Sequence, residues 1–280
     1  MAVNQHQFEF EQKIDVLSIF REFERSITEE LNLTLECKNA AEFRKILPAG
    51  FAMPEFYAGF CTKSVLVQSF AKGKNPLDIA DSLKDKVINE IGEMLFSQIL
   101  SKDLYHDDLH PGNIRIDADG KIILLDFGRV GRLTQSDRNR IIPLLTAIQS
   151  KDIDKVIAIC GTIGQKNNNH RQEQLRISIA NLFNDRLPAT QMISTLFYEC
   201  GSCGLEIKGV FLQLLKGIST FEGMAHRMNP KYDLGANIQQ YVFKNKAKNP
   251  LDFFKAILSK PIKKIHQITP LLQRYIDSSL

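Results

Sequence analysis

The positions of apolar residues predict a mainly helical chain. Apolar side chains recur at steps of three and four over residues 8–46 and again over residues 77–103, the spacing of one helix face. Pro48 and Gly50 end the first run, as expected for helix-breaking residues. Beyond residue 134 nearly every segment has helical spacing, with breaks near residues 161–164, 167–169, 201–204 and 229–230.

Two hairpins interrupt the helical pattern. Residues 56–61 and 64–70 predict two short strands joined at residues 62–63. A second hairpin is predicted from residues 114–116 and 122–125, because an Asp-Gly turn at Asp119 and Gly120 separates two apolar runs. The plan is therefore an α+β chain: a helix, a small hairpin, and a mainly helical body with one hairpin near its start.

Composition narrows the function classes without naming one. The chain has 280 residues, 44% of them hydrophobic, enough for one large core or two modest ones. A net charge of +4 is too small to indicate nucleic-acid binding, and no apolar run is long enough for a membrane span. Five cysteines are an odd count that suits a reducing compartment. Cys200 and Cys203 form a single CxxC, which we interpret as incidental rather than as a metal or redox site.

Candidate chemistry concentrates in YHDDLHPGN at residues 105–113 and LLDFG at residues 124–128. Phosphoryl transfer needs a carboxylate to orient the attacking hydroxyl and oxygen ligands for Mg²⁺, which protein kinases supply from H-R-D-x-x-x-x-N and D-F-G. Aligned on the histidine, Asp108 takes the catalytic-base position, and Asn113 and Asp126 take the two metal positions. The predicted hairpin brings the two metal positions together. The neighbouring residues become framework: His106, Asp107 and His110.

Two alternatives for this loop stay open. The acids could cap a turn while the histidines pack in the core. His106 and His110 could also bind zinc, but their spacing suits zinc only on a helix, which Pro111-Gly112 disfavours.

Three stretches together resemble the UbiB/AarF-type atypical kinases, called ADCK proteins in animals. They are EELNLTLECKNAAEF at residues 29–43, VLVQSFAKG at residues 65–73, and the loop with its continuation LLDFGRVGRL. Aminoglycoside and choline phosphotransferases share HPGN but usually continue into I-D-W. The resemblance implies a protein-kinase-like fold with a partial N-lobe of helix C and a β-hairpin (1–73) and a helical C-lobe (74–240). The lysine-rich sequence itself predicts a basic amphipathic extension (241–280).

The resemblance also implies a function. Members of that family bind ATP with Mg²⁺, have ATPase or kinase-like activity, and support isoprenoid quinone (ubiquinone) biosynthesis at a membrane. By position, Glu36 is similar to the helix-C glutamate that pairs with the ATP-contacting lysine, and Glu30 to the first acid of an E-x-D element. The implied ligands are therefore ATP and Mg²⁺.

The chain departs from the family at its front end. Asn32 stands where the family has aspartate, no glycine precedes Gly50, and Lys13 is the only lysine before Glu36. We therefore expect the phosphate loop and the lysine-bearing strand to be missing from this chain, which makes catalytic activity uncertain. Three explanations stay open: an upstream partner chain that completes the N-lobe, a truncated product, or a pseudokinase that acts as a binding module in the quinone pathway. A small-molecule phosphotransferase is a further alternative.

The C-terminal stretch is basic. Residues 244–264 hold seven lysines and one acid, Asp252, interleaved with apolar residues. Such a segment can lie on an anionic membrane surface or pack on the protein body with its lysines solvated. We expect a cytoplasmic protein, with peripheral attachment to the inner face of a membrane as one option. Lipid or quinone-pathway enzymes are its expected partners, and nucleic acid is not.

Overall fold

The computed structural model describes residues 32–166, 171–185 and 187–246 of the chain. The described residues up to Asn237 belong to one compact unit, and the described residues 238–246 belong to a second. The first unit is mixed α+β, mostly helical with small sheets, which matches the predicted class. The basic stretch beyond residue 246 lies outside the described residues.

The front of the described chain contains one helix, α1 (Leu33–Arg44), and a loosely formed hairpin. The helix lies within the long predicted run, whose earlier part is outside the described residues. The prediction of regular strands at residues 56–61 and 64–70 was wrong: one antiparallel bridge joins Phe56 to Gln68, and Ala58–Phe60 is a 3₁₀ turn. Ala and Gly in that turn favour strand weakly, so local i to i+3 hydrogen bonds form instead.

Three short strands form one sheet. Strand β1 (Phe51–Ala52) runs parallel to β4 (Ile122–Leu124), which pairs antiparallel with β3 (Ile114–Ile116). The predicted second hairpin is thereby confirmed. Gly120 sits in its turn with φ of +82°, a left-handed conformation that glycine adopts without strain.

Helix α2 (Asp81–Ser101) is the central element of the body and confirms the second helical run. Its apolar side chains are buried, except for Leu83, which is exposed, and Leu100, which is half-buried. The chain begins this run with a 3₁₀ turn, Pro76–Asp78, because Asn75 accepts a hydrogen bond from the Leu77 amide and proline fits a first turn. The helix leads into β2 (Leu104–His106), which pairs antiparallel with β5 (Val130–Arg132).

The rest of the body is helical, as predicted, with one short sheet. Its helices are α3 (Gln135–Gln149), α4 (Ile153–Ile163), α5 (Gln172–Leu182), α6 (Ala189–Ser202), α7 (Gly209–Met228) and α8 (Leu234–Lys246). Strands β6 (Gly164–Lys166) and β7 (Leu205–Ile207) pair antiparallel near two of the predicted breaks. Helix α7 packs on α2, where the Phe96 and Phe221 rings meet edge to face with centroids 6.3 Å apart.

Candidate functional site

Hydrogen bonds between its own side chains and backbone amides shape the loop after β2. The Asp108 amide donates to His106 Nδ1 (3.2 Å), and the Gly112 amide donates to His110 Nδ1 (3.0 Å). Pro111–Asn113 then forms a 3₁₀ turn that ends where β3 begins. Burial lowers the pKa of His106 to about 4, so its ring is neutral at physiological pH. Nδ1 can therefore accept a hydrogen bond from the Asp108 amide. The predicted framework role of this histidine agrees with that geometry.

Asp108, the predicted catalytic base, has a partly exposed side chain and a backbone carbonyl that is hydrogen-bonded within the loop. The Asp108 side chain is 26% exposed, and its Oδ2 lies 3.9 Å from His110 Nε2. Asn113 Nδ2 donates to the Asp108 backbone carbonyl at 3.1 Å. A carboxylate in this position can meet an incoming hydroxyl, which is the geometric requirement for a general base.

The β3–β4 hairpin brings the two predicted metal positions to the same end of the sheet. Ile114 pairs with Leu124, and the Leu125 amide donates to the Asn113 carbonyl at 2.9 Å. Asp126 is the next residue along the chain, so Asn113 and Asp126 flank the open end of the ladder. Because the side-chain nitrogen of Asn113 donates to the Asp108 carbonyl, the side-chain oxygen of Asn113 can coordinate a cation. An amide oxygen and a carboxylate fit Mg²⁺, whose remaining ligands in kinase sites come from phosphate and water.

The D-F-G segment is packed inward. Phe127 is fully buried, and its ring lies 5.1 Å from the Phe43 ring and 5.7 Å from the His106 ring, centroid to centroid. The Gly128 amide donates to Asp126 Oδ1 at 2.8 Å. Burial of the phenylalanine therefore fixes the direction of the partly exposed Asp126 carboxylate beside it.

Helix α1 holds Phe127 by both of its backbone groups. Glu36 Oε1 accepts from the Phe127 amide at 3.3 Å, and Asn39 Nδ2 donates to the Phe127 carbonyl at 2.9 Å. The two side chains are three residues apart and so share one helix face. Arg132 extends the contact, because it donates to Asn39 Oδ1 at 3.3 Å and pairs with Glu42 at 2.8 Å. The sequence motif at residues 29–43 contains Asn39, but the sequence alone indicates no role for this side chain.

The surroundings of Glu36 differ from the kinase arrangement. Burial and, after it, the negative charge of Asp126 together raise the pKa of Glu36 from 4.5 to about 7. Among the described residues, no lysine or arginine forms an ion pair with Glu36. The ATP-lysine pairing assigned to Glu36 therefore stays a prediction. Glu30 lies outside the described residues.

The described residues contain no group of three or more His, Cys, Asp or Glu side chains able to hold a metal. Cys200 and Cys203 are buried, and a hydrogen bond with Cys160, together with burial, raises the pKa of Cys200 well above its usual range. A raised pKa makes the Cys200 thiol a poor nucleophile and a poor metal ligand. No helix within the described ranges is both long and apolar enough to cross a bilayer.

Comparisons with known proteins bear on the fold and the family. Rv3197 of Mycobacterium tuberculosis, whose structure was solved with erythromycin, superposes with a TM-score of 0.54 at 16% identity. The match covers 76% of this chain and 58% of Rv3197, so the chain spans less than two thirds of that protein. At this identity the likeness supports the fold alone. The ABC1 atypical kinase-like domain matches residues 1–160, more than half of the chain, and the chain therefore belongs to the ABC1 atypical kinase-like family.

Proposed function

We propose that this protein binds Mg·ATP where helix α1 faces the D-F-G segment, and that it cleaves or transfers the γ-phosphate. The observation that carries the proposal is that Asn113 donates to the Asp108 carbonyl and that the β3–β4 hairpin brings Asn113 beside Leu125, the neighbour of Asp126, while Phe127 is buried. A binding scaffold would need only part of this arrangement. A base, an amide oxygen and a carboxylate together form the metal-and-base half of a phosphotransfer site.

Each residue has a defined role in the proposal. Asp108 orients the acceptor, a hydroxyl or water, and takes its proton. Asn113 and Asp126 hold Mg²⁺ through oxygen atoms, and the metal supplies charge neutralisation on the phosphates. The Gly128 amide keeps one Asp126 oxygen fixed, so the metal position depends on the backbone of the D-F-G segment.

The second candidate is a binding module without turnover. It is favoured by Glu36, which accepts a hydrogen bond from the Phe127 amide and has no cation partner among the described residues. Without a phosphate-contacting lysine, stabilisation of the transition state weakens by roughly 2.7–4 kcal/mol per lost contact. An upstream partner chain could supply that lysine, in which case turnover would require both chains.

A place in isoprenoid quinone biosynthesis extends the proposal. It is supported by the E-x-x-N-A element at residues 36–40 and by the D-F-G and G-x-L continuation, both of the UbiB/AarF type. The basic stretch at residues 244–264 adds peripheral attachment to an anionic membrane. Deleting the gene should lower the quinone pool, and the wild-type chain should restore it while Asp126→Asn should not. An unchanged pool would remove the pathway assignment.

Thermal unfolding with and without Mg·ATP tests nucleotide binding. A ligand present at ten times its Kd stabilises the folded state by about 1.4 kcal/mol, which raises Tm by roughly 3–6 °C in a chain of this size. Asp126→Asn should remove the shift. The matched control is Asp119→Asn, the same change at an exposed position in the turn of the same hairpin, and it should keep the shift. Equal behaviour of wild type and Asp126→Asn at millimolar Mg·ATP would reject the binding claim.

Release of inorganic phosphate from Mg·ATP separates the two candidates. The phosphotransfer proposal expects turnover in the wild type and its loss in Asp108→Asn, with the thermal shift retained in that variant. The binding-module candidate expects the thermal shift in both proteins and turnover in neither. If this protein is half of a split kinase, adding a lysine-bearing chain encoded just upstream should restore turnover. In the other cases it should not.

A further inference from the structure

A second carboxylate, Asp107, precedes the proposed base and is buried. The residue is 1% exposed, at the point where β2 ends. Burial raises its pKa from 3.8 to about 6, against the opposing effects of Gln213, Arg129 and Lys216. The group therefore carries a charge at neutral pH in a place that disfavours charge. Buried acids of this kind are more often kept for the working of a site than for stability.

Asp107 contacts helix α7 and the segment that follows D-F-G. Gln213 Nε2 donates to Asp107 Oδ2 at 3.1 Å, and a guanidinium nitrogen of Arg129 lies 3.7 Å from the same oxygen. Gln213 and Gly217 are four residues apart, hence on one face of α7. A Cβ atom at Gly217 would lie 2.7 Å from Asp107 Oδ1 and 3.2 Å from the Asp107 carbonyl oxygen. The helix approaches this closely only because residue 217 has no side chain.

The same loop is held from its other side by helix α2. Gln98 is buried, and its Oε1 accepts from the His106 amide at 3.1 Å. Residues 106 and 107 are thus fixed between two helices that pack on each other. Asp108 follows at once, and its own amide donates to His106 Nδ1. Any displacement of Asp107 must therefore move the Asp108 carboxylate.

We propose that Asp107 is a positioning residue, which anchors the loop on Gln213 and Gly217 of α7 and couples it to the D-F-G segment through Arg129. It acts through Asp108 and does not touch the nucleotide. The inference rests on the proposed phosphotransfer for its kinetic effect, while the anchoring itself can be measured without turnover.

Gly217→Ala tests the anchoring without altering any charged group. Its Cβ should displace the loop, and a shift of about 1 Å at a reacting group costs roughly 10²-fold in rate. We expect kcat to fall by about that factor while the Mg·ATP-induced thermal shift stays that of the wild type. Gly223→Ala is the matched control on the same helix, since a Cβ there meets nothing within 4 Å. It should retain the wild-type kcat.

Asp107→Asn tests the charge. Hydrogen exchange at the amides of Asp108 and Asn113, which donate to His106 Nδ1 and to the His110 carbonyl, should become faster in this variant. Its Tm at pH 8 should be no lower than that of the wild type, because the amide removes a disfavoured charge. The charged and titratable groups that face this site are Arg129, Lys216, Asp108 and Tyr105. If Asp107 served only to stabilise the fold, Asp107→Asn would have a lower Tm than the wild type.

The outcomes are distinguishable. Unchanged exchange at both amides in Asp107→Asn and in Gly217→Ala would overturn the anchoring, whatever the protein's activity. A wild type with no thermal shift and no turnover would reject the proposed function, and the exchange data would still decide the anchoring. If wild-type turnover is present, equal kcat in Gly217→Ala and Gly223→Ala would overturn the link to Asp108.

Discussion

The perturbed acid on helix α1 makes stability depend on pH in an unusual direction. The pKa of Glu36 rises from 4.5 to about 7 on folding, chiefly through burial and then through the charge of Asp126. The folded chain therefore holds more proton than the unfolded chain between these two values. In this window the free energy of unfolding falls as pH rises, which is opposite to the behaviour of a carboxylate in an ion pair.

The magnitude follows from the size of the shift. A rise from 4.5 to about 7 corresponds at most to roughly 3 kcal/mol between the two protonation states. Because Glu36 is only half-buried, solvent screens part of this effect, and we take about 1–2 kcal/mol. Glu36→Gln keeps an oxygen that can accept from the Phe127 amide and removes the titration. Relative to wild type, the variant should gain about 1–2 kcal/mol in stability between pH 4.5 and pH 8.

Urea unfolding across this pH range, without nucleotide or divalent metal, measures the difference. Glu206→Gln, the same substitution at an exposed strand position, is the matched control and should leave the wild-type pH dependence in place. Parallel pH curves for wild type and Glu36→Gln would refute the reasoning, because they would mean that Glu36 titrates alike in the folded and unfolded chains. A loss of stability in Glu36→Gln would indicate an unrecognised cation beside Glu36.

Two further substitutions test the packing around the site. Asn39→Leu leaves the Phe127 carbonyl without its donor, and we expect a loss of about 1–3 kcal/mol in urea unfolding; a loss below about 0.5 kcal/mol would show that this bond does not hold the D-F-G segment. Gly131→Ala places a Cβ 1.9 Å from Tyr105 Cζ and should cost about 1–3 kcal/mol or more. Combining it with Tyr105→Leu should recover part of that loss, and strict additivity of the two changes would contradict the clash.

Several elements could be predicted because their determinants are local. The β3–β4 hairpin formed where an Asp-Gly turn separates two apolar runs, and Gly120 has the left-handed φ that such a turn requires. Helix α2 formed over its apolar repeat because residues three and four apart share one face. The placement of Asp108 close to Asn113 was likewise predictable, since hydrogen bonds within the short loop hold the two residues together.

Other pairings could not be predicted because they join distant segments. Strands β2 and β5 have three residues each and are separated by more than twenty positions, too short for any period to identify them. The parallel contact of β1 with β4 and the pairing of β6 with β7 were missed for the same reason. The predicted strands at residues 56–61 and 64–70 were wrong for a different reason, because the apolar residues of this stretch do not reveal the 3₁₀ turn at Ala58–Phe60.

For the site, the amino-acid sequence alone determined which groups are present and in what order: a carboxylate, an amide and a second carboxylate at the spacing that predicts a phosphotransfer loop. Only the tertiary structure decided their electrostatic setting. It placed Glu36 against the Phe127 amide and near Asp126, and it buried Asp107 against a glycine of α7. Burial and through-space charge are properties of neighbours that are remote in sequence, so protonation and positioning become visible only once the chain is folded.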